Sequence, residues 1–310
     1  FNRIMMRTLI FTILFFLSLS SHAQEYSAIK GFVKNDRLKE VTFYKTVDGN
    51  IQACATSQVA PDGSYGFLLR PEPGFYSIGE KWVNFPLYLQ GGEEVNIDLY
   101  RTQAKLNGKN TPENETLYRW VDYAANIRTK AVFFDQTLSN YEDFFPDFGI
   151  YLKGLPDVRK KLKSGNAAFD RLLAEYVDYS TDFYALLFLA TPRDKHPEKS
   201  MWPEYYKHIA SPQKYTTDVV LQFPEGVRML GVYAEFANRE SGEKERYNPD
   251  DVITFLHNDR LVGEYLLNNE FRRYRSYEQY SAGMEKYGKY FVTPSLKARA
   301  EALGAPLYDT

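Results

Sequence analysis

Residues 106–114 read LNGKNTPEN, and the spacing of apolar residues changes on either side of this segment. A polar cap at Thr111, a proline at position 112 and an acid at Glu113 are typical of the start of a helix. Upstream the apolar residues alternate, whereas downstream they recur every three or four positions. The segment therefore predicts an α+β protein with an N-terminal antiparallel β-sandwich followed by an all-α helical domain.

Short alternating runs between Tyr26 and Leu106 predict seven or eight strands. The pair Asp48-Gly49 predicts a tight hairpin, and 61–63 and 73–74 predict further turns. Because no helical spacing interrupts these runs, they favour a sandwich over a parallel sheet.

Downstream, from 109 to about 299, apolar residues follow helical spacing and predict a set of mid-length helices. Two of the predicted apolar blocks cover 169–189 and 252–267. Gly and Pro residues are expected to separate the helices, and they are Pro146, 154–156, Pro192, Pro197, Pro203, Pro212, Pro224 and Pro249.

The first 23 residues have the three parts of an export signal. Arg3 and Arg7 precede an apolar run, and Ser21-His22-Ala23 is a small-x-small cleavage site. The run is shorter than the roughly 20 residues that span a bilayer. We therefore expect export to the periplasm or cell envelope without stable membrane insertion. Because the chain begins with Phe1, Met5 and Met6 are candidate starts.

Charge and composition limit the partners. The formal net charge is −2 for the whole chain and, after removal of two arginines with the signal, −2 − 2 = −4. A weakly acidic chain with dispersed Lys and Arg lacks the electrostatic footprint for nucleic acid or an anionic membrane surface. The sequence makes no prediction of oligomeric state.

Residues that could carry chemistry are sparse. Cys54 is the only cysteine, so the chain has no C-x-x-C pair, and we expect a buried, inert thiol on a strand. His196, His208 and His257 lack metal-ligand spacing. No nucleophile elbow, P-loop or dinucleotide motif occurs. The sequence therefore predicts no catalytic, cofactor-binding or metal-ligating residue and no cofactor.

Four local segments have structural explanations that compete with functional ones. Residues 248–251 (NPDD) are better explained as a helix cap than as a carboxylate pair. Residues 114–116 (NET) match a glycosylation site inside a predicted first helical turn. The aromatic segment 200–208 and the Arg/Tyr segment 272–277 are interpreted as packed or solvated helix faces, with partner binding as the alternative.

A family resemblance follows from the turn spacing. The stretches 31–33 (GFV), 61–67 (PDGSYGF), 73–76 (PGFY), 87–95 and 106–114 together resemble the N-terminal region of TlpA-like thiol–disulfide oxidoreductases of Gram-negative envelopes. In that group, a small sandwich and a helical segment precede a thioredoxin-fold domain with a W-C-x-x-C motif. This chain contains no such motif.

The local patterns predict three segments, and the resemblance implies a fourth at the C-terminal end. These are a signal peptide over 1–23, a sandwich domain over 24–108, a helical domain over 109–303, and a lead-in to a missing thioredoxin-like domain over 304–310 (GAPLYDT). We therefore expect that the sequence is cut at a domain boundary. The alternative is a natural C-terminus on a terminal helix.

Three functional hypotheses remain open. The favoured one is a non-catalytic region of an envelope oxidoreductase that positions its own thioredoxin domain or recognises a client protein. The second is a complete, stand-alone envelope binding or scaffold protein without enzyme activity. The third, ranked last, is a hydrolase whose acids are distant in sequence.

Overall fold

A computed structural model describes residues 26–210, 214–242 and 247–308, without the side chain of Phe134. The signal-like residues 1–23, Pro212 and the end of the 304–310 segment, on which predictions also fall, lie outside these ranges. Within the described residues, eight strands precede ten α-helices, and this order confirms the predicted α+β fold.

The strands are β1 (Ser27–Phe32), β2 (Glu40–Val47), β3 (Asn50–Gln58), β4 (Ser64–Leu69), β5 (Gly74–Gly79), β6 (Asn84–Leu89), β7 (Glu94–Leu99) and β8 (Ala104–Leu106). The helices are α1 (Pro112–Val132), α2 (Phe134–Thr137), α3 (Tyr141–Lys161), α4 (Ala167–Ala190), α5 (Tyr206–Ile209), α6 (Gly226–Glu240), α7 (Pro249–Val252), α8 (Asp259–Asn269), α9 (Tyr277–Tyr287) and α10 (Pro294–Gly304). The boundary predicted at 108/109 lies in the loop between β8 and α1.

The strands form two four-stranded sheets. The outer sheet has the order β4-β1-β7-β8, and the central sheet has the order β3-β2-β5-β6. Neighbouring strands are antiparallel except β1 and β7, which run parallel. Phe43 of the central sheet lies 5.6 Å from Phe67 of the outer sheet between ring centroids, so the two sheets share a core.

The central sheet buries its second face against the helices. Phe75 of β5 lies 5.0 Å from Tyr176 of α4 between ring centroids, and Tyr88 of β6 lies 4.6 Å from Phe169. Every residue of β5 and β6 after the first is buried, in agreement with their mostly apolar and aromatic side chains. The molecule therefore has three layers: outer sheet, central sheet and helices.

The predicted helix breaks at Pro146 and 154–156 are wrong, because α3 runs without interruption from Tyr141 to Lys161. Each proline removes one backbone N–H donor, a local cost that packing outweighs here. Phe144 stacks on Phe188 of α4 with ring centroids 3.9 Å apart, and it is fully buried.

The predicted apolar block 252–267 is also divided. A short 3-10 turn over Ile253–Phe255 follows α7, and α8 begins only at Asp259. The side chain of Asn258 accepts hydrogen bonds from the first amides of α8 and caps it. The caps predicted at Thr111 and Asn248 are confirmed.

Asn114, the acceptor of the predicted glycosylation site, is fully buried. Its Oδ1 accepts from the Tyr88 amide at 2.9 Å, and its Nδ2 donates to the Tyr88 carbonyl at 2.7 Å. The side chain thus joins the first turn of α1 to β6, which favours the structural explanation of this segment.

The tip of the β2–β3 hairpin inserts into the helical part. Asp48 and Gly49 adopt positive φ angles of 48° and 73°, as the predicted two-residue turn requires. The Gly49 amide donates to the Leu221 carbonyl at 2.7 Å, and the Val227 amide donates to the Gly49 carbonyl at 3.0 Å. A Cβ built on Gly226 would lie 2.0 Å from the Val220 carbonyl oxygen.

We predict that Gly226→Ala lowers the free energy of unfolding by about 1–3 kcal/mol, because backbone must move to admit the methyl group. Gly231→Ala on the same helix is the control. Its Cβ would meet nothing nearer than 3.7 Å, so replacing this helical glycine should stabilise the protein by up to about 1 kcal/mol. Urea unfolding of both variants measures the difference, and equal stabilities would contradict the close approach.

Candidate functional site

A cleft of about 690 Å³ lies between the sandwich and the helices. This volume is within the range of roughly 300–1,000 Å³ that ligand sites occupy. The cleft is bordered by the β2–β3 hairpin, the β5–β6 loop, and helices α6 and α8. Its lining residues are Val47, Gly49, Asn50, Ile51, Gln52, Lys81, Trp82, Asn84, Pro224, Glu225, Val227, Arg228, Gly231, Val232, Glu235, Asn268, Asn269, Arg272 and Arg299.

Trp82 on the β5–β6 loop presents the largest exposed aromatic surface in the cleft. Its side chain is 76% exposed, whereas Trp120 is buried in the helical core. The Lys81 ammonium lies 5.0 Å from the indole centroid. The side chain of Asn84 donates to the Glu80 and Lys81 carbonyls at 3.3 and 3.2 Å and fixes the loop. An exposed tryptophan on a fixed loop is typical of a contact surface.

The lining carries four basic and two acidic side chains, so its formal charge is 4 − 2 = +2 in a chain of net charge −2. Arg228 pairs with Glu225 at 3.2 Å. Within the described residues, neither Lys81 nor Arg272 has an ion-pair partner. These two cations are therefore available to an anionic group that enters the cleft.

An ionic cluster beside the cleft holds the hairpin tip in place. The carboxylate of Asp48 accepts from Arg260 Nη2 at 2.7 Å, from Ser295 Oγ at 2.7 Å and from Arg299 Nη2 at 3.2 Å. Arg299 also binds both oxygens of the fully buried Glu264 carboxylate. The cluster joins the sandwich to α8 and α10.

The pKa values of the two carboxyl groups in this cluster, Asp48 and Glu264, are shifted in opposite directions. Burial opposes ionisation of Asp48, but hydrogen bonds from Ser295 and Arg260, with the charge of Arg299, outweigh it and lower its pKa. Burial is the larger effect at Glu264 and raises its pKa in spite of Arg299. Asp48 is thus the ionised anchor of the cluster at neutral pH.

The three histidines that were considered as metal ligands lie apart from one another and on the surface. His196, His208 and His257 are all exposed, and the loop position predicted for His196 is confirmed. His196 accepts a hydrogen bond from the Arg193 amide at 3.0 Å. The described residues contain no group of three or more His, Cys, Asp or Glu placed to bind a metal ion.

Cys54 lies on β3 as predicted, but the expectation that it is buried is wrong, because its side chain is exposed. It occupies a β-bulge: Phe43 pairs with Ala55 and Tyr44 with Ala53, so Cys54 is the extra residue. The thiol donates to the Phe43 carbonyl at 3.3 Å. Although the residue is exposed, neighbouring chain removes part of the thiol's hydration and raises its pKa, which keeps the group a thiol rather than a reactive thiolate.

The aromatic segment 200–208 and the Arg/Tyr segment 272–277 differ in how far their side chains are packed. In 200–208, Trp202 packs on Phe236 and Tyr206, in agreement with the core interpretation. In 272–277 the arginines are exposed, in agreement with a solvated face, yet Arg272 also lines the cleft. The sequence analysis did not identify Trp82, because a tryptophan in the short loop between β5 and β6 belongs to no motif and to no periodic run.

Comparison of the chain with protein-family models, with curated proteins and with solved structures gave no match. Over 26–210, 214–242 and 247–308, no helix combines the length and apolar character needed to cross a membrane.

We predict that Asp48→Asn lowers the free energy of unfolding by about 1–3 kcal/mol at pH 7, because Arg260 and Arg299 each lose one of their two carboxylate partners. The pKa of Asp48 is lower in the folded state. Its contribution is therefore fully present above the unfolded pKa and is lost as pH falls through the folded pKa. The difference between variant and wild type should shrink as pH falls below about 4.

Denaturant unfolding at pH 7 and pH 3 measures this effect. Asp157→Asn is the control, because Asp157 pairs with Lys160 on the surface with both side chains 76% exposed. It should change stability little at either pH. A difference between Asp48→Asn and wild type that is equally large at both pH values would contradict the predicted linkage.

Proposed function

We propose that this chain is the non-catalytic recognition region of an exported thiol–disulfide oxidoreductase, and that its cleft holds a segment of the client protein. The cleft is the observation that carries the proposal. It combines a tryptophan that is 76% exposed, two cations that no described acid neutralises, and walls fixed by the Asp48 cluster. Recognition sites concentrate affinity in such aromatic and cationic anchors.

The redox association of the proposal rests on the resemblance of the stretches within 31–114 to TlpA-like N-terminal regions. The export association rests on the signal-like residues 1–23. The rigid connection between sandwich and helices supports a positioning role as well. A client held in the cleft would keep a fixed orientation relative to the C-terminal end of α10.

A stand-alone envelope binding protein is the second candidate. It is favoured by the way the cleft is built, because residues of both the sandwich and the helices line it and no further domain is needed. Reading the source DNA past codon 310 separates the two candidates. A W-C-x-x-C motif in the same frame supports the first, and an immediate stop supports the second.

We predict that residues 24–310 bind reduced, carboxamidomethylated α-lactalbumin or lysozyme, and that Trp82→Ala weakens this binding about tenfold or more. Trp202→Phe serves as the control, because Trp202 packs on the aromatic core outside the cleft. Isothermal titration calorimetry measures both variants, with urea unfolding to check their folds. If wild-type protein binds neither client, the recognition role is wrong.

We predict no turnover of a small disulfide substrate by residues 24–310, because disulfide exchange needs a low-pKa thiolate and a resolving cysteine. Cys54, with its raised pKa, is the only thiol in the chain. Insulin reduction with dithiothreitol measures this, and Cys54→Ser is the control. Turnover that survives Cys54→Ser would contradict the non-catalytic assignment, and turnover lost with it would assign chemistry to Cys54.

A further inference from the structure

The two edge strands of the central sheet, β6 and β3, differ in whether their outward-facing backbone groups are bound. At the β6 edge, the Asn84 carbonyl accepts from Arg128 Nη2 at 2.6 Å, and the Tyr88 amide and carbonyl both bind Asn114. Between them, Pro86 has no amide proton to offer. Every second residue of this edge is therefore closed to another strand, which is a common protection of sheet edges.

The β3 edge lacks this protection between the turn at Asp48-Gly49 and the bulge at Cys54. In the two-residue hairpin, Val47 and Asn50 form the hydrogen-bonded pair, so the backbone groups of Ile51 and Ala53 point away from β2. In the described part of the chain, no group outside the hairpin binds them. The nine residues of β3 (NIQACATSQ) also include no charged side chain, the usual deterrent to pairing at an edge.

This open edge enters the cleft. Asn50, Ile51 and Gln52 belong to its lining, together with Lys81 and Arg272. A strand that pairs with β3 at Ile51 would therefore place its side chains among the two cations and the indole of Trp82.

We propose that the cleft is a strand-addition site for an extended, acidic polypeptide segment. The segment pairs with β3 through the amides and carbonyls of Ile51 and Ala53. Its Asp or Glu side chains reach Lys81 and Arg272, and one apolar or aromatic side chain stacks on Trp82. Main-chain hydrogen bonds supply affinity in such complexes, and side-chain contacts supply specificity.

The open backbone of β3 favours a polypeptide over another anion, and the charge of the cleft favours an acidic one. The open backbone groups of β3 match the alternating donors and acceptors of an extended chain, which a polysaccharide does not present. Arg228 and Arg299 are paired with carboxylates, so the unpaired charges of the lining in the described residues are Lys81 and Arg272 against Glu235, an excess of one positive charge that favours an acidic segment.

This inference rests on the proposed recognition function and specifies its client segment. The probes are a fluorescein-labelled decapeptide that alternates glutamate and valine, the same peptide with lysine for glutamate, and polygalacturonate as a competing polyanion. Fluorescence anisotropy of the full chain measures binding. Hydrogen–deuterium exchange with and without peptide reports the amides of Ile51 and Ala53.

The acidic peptide should bind, the lysine peptide should bind at least tenfold more weakly, and exchange at Ile51 and Ala53 should slow. Lys81→Ala with Arg272→Ala should weaken binding about tenfold or more. Lys160→Ala with Lys207→Ala removes the same charge from exposed positions outside the cleft and should leave affinity unchanged.

Three outcomes overturn the inference. Binding without slower exchange at Ile51, or equal competition by polygalacturonate, means that the cleft recognises charge alone. Equal affinity for the lysine peptide removes the acidic requirement. Failure of both peptides while α-lactalbumin still binds through Trp82 rejects the acidic strand but leaves the recognition function standing, whereas failure of all clients rejects both.

Discussion

The central sheet has to bury both of its faces, and the arrangement of the other elements depends on this constraint. One face meets the outer sheet through Phe43, and the other meets α4 through Phe75 and Tyr88. Neither the sandwich nor the helical part could withdraw without exposing one of these aromatic faces. The two parts of the chain consequently act as one framework, and a cleft between them has fixed walls.

Ion pairs, in addition to apolar packing, fix the orientation of the β2–β3 hairpin relative to the helices. The hairpin tip carries Asp48 to Arg260 and Arg299, which belong to α8 and α10. An ion pair with one buried partner contributes little net stability but strongly disfavours arrangements that leave its charge unpaired. The cluster therefore defines the angle at which the hairpin enters the helices, and with it the position of the β3 edge in the cleft.

Local signals in the sequence predicted local features well. The helix caps at Thr111 and Asn248 and the turn at Asp48-Gly49 each depend on a few neighbouring residues, and all three are confirmed. Pro146 was misread because its local cost is offset by stacking of a neighbouring ring on a helix some forty residues away, as seen for Phe144 and Phe188.

The cleft could not be predicted from sequence for a related reason. Asp48 and Arg260 are 212 positions apart, and the sheet and helices that bring them together have no joint signature in the sequence. Cys54 shows the same limit on a smaller scale. Alternation placed it correctly on a strand, but the bulge that turns its thiol outward depends on the register with β2.

The burial of Asn114 also bears on how the protein can be produced. In a secretory host that attaches glycans to Asn-x-Thr sites during synthesis, the enzyme meets this segment before α1 has packed on β6. A glycan on Asn114 would occupy the amide nitrogen that donates to the Tyr88 carbonyl and would have to fit where the side chain is fully enclosed. The choice of expression host therefore decides whether the sandwich and helices can join, and the intact mass of the recovered chain would show which form folds.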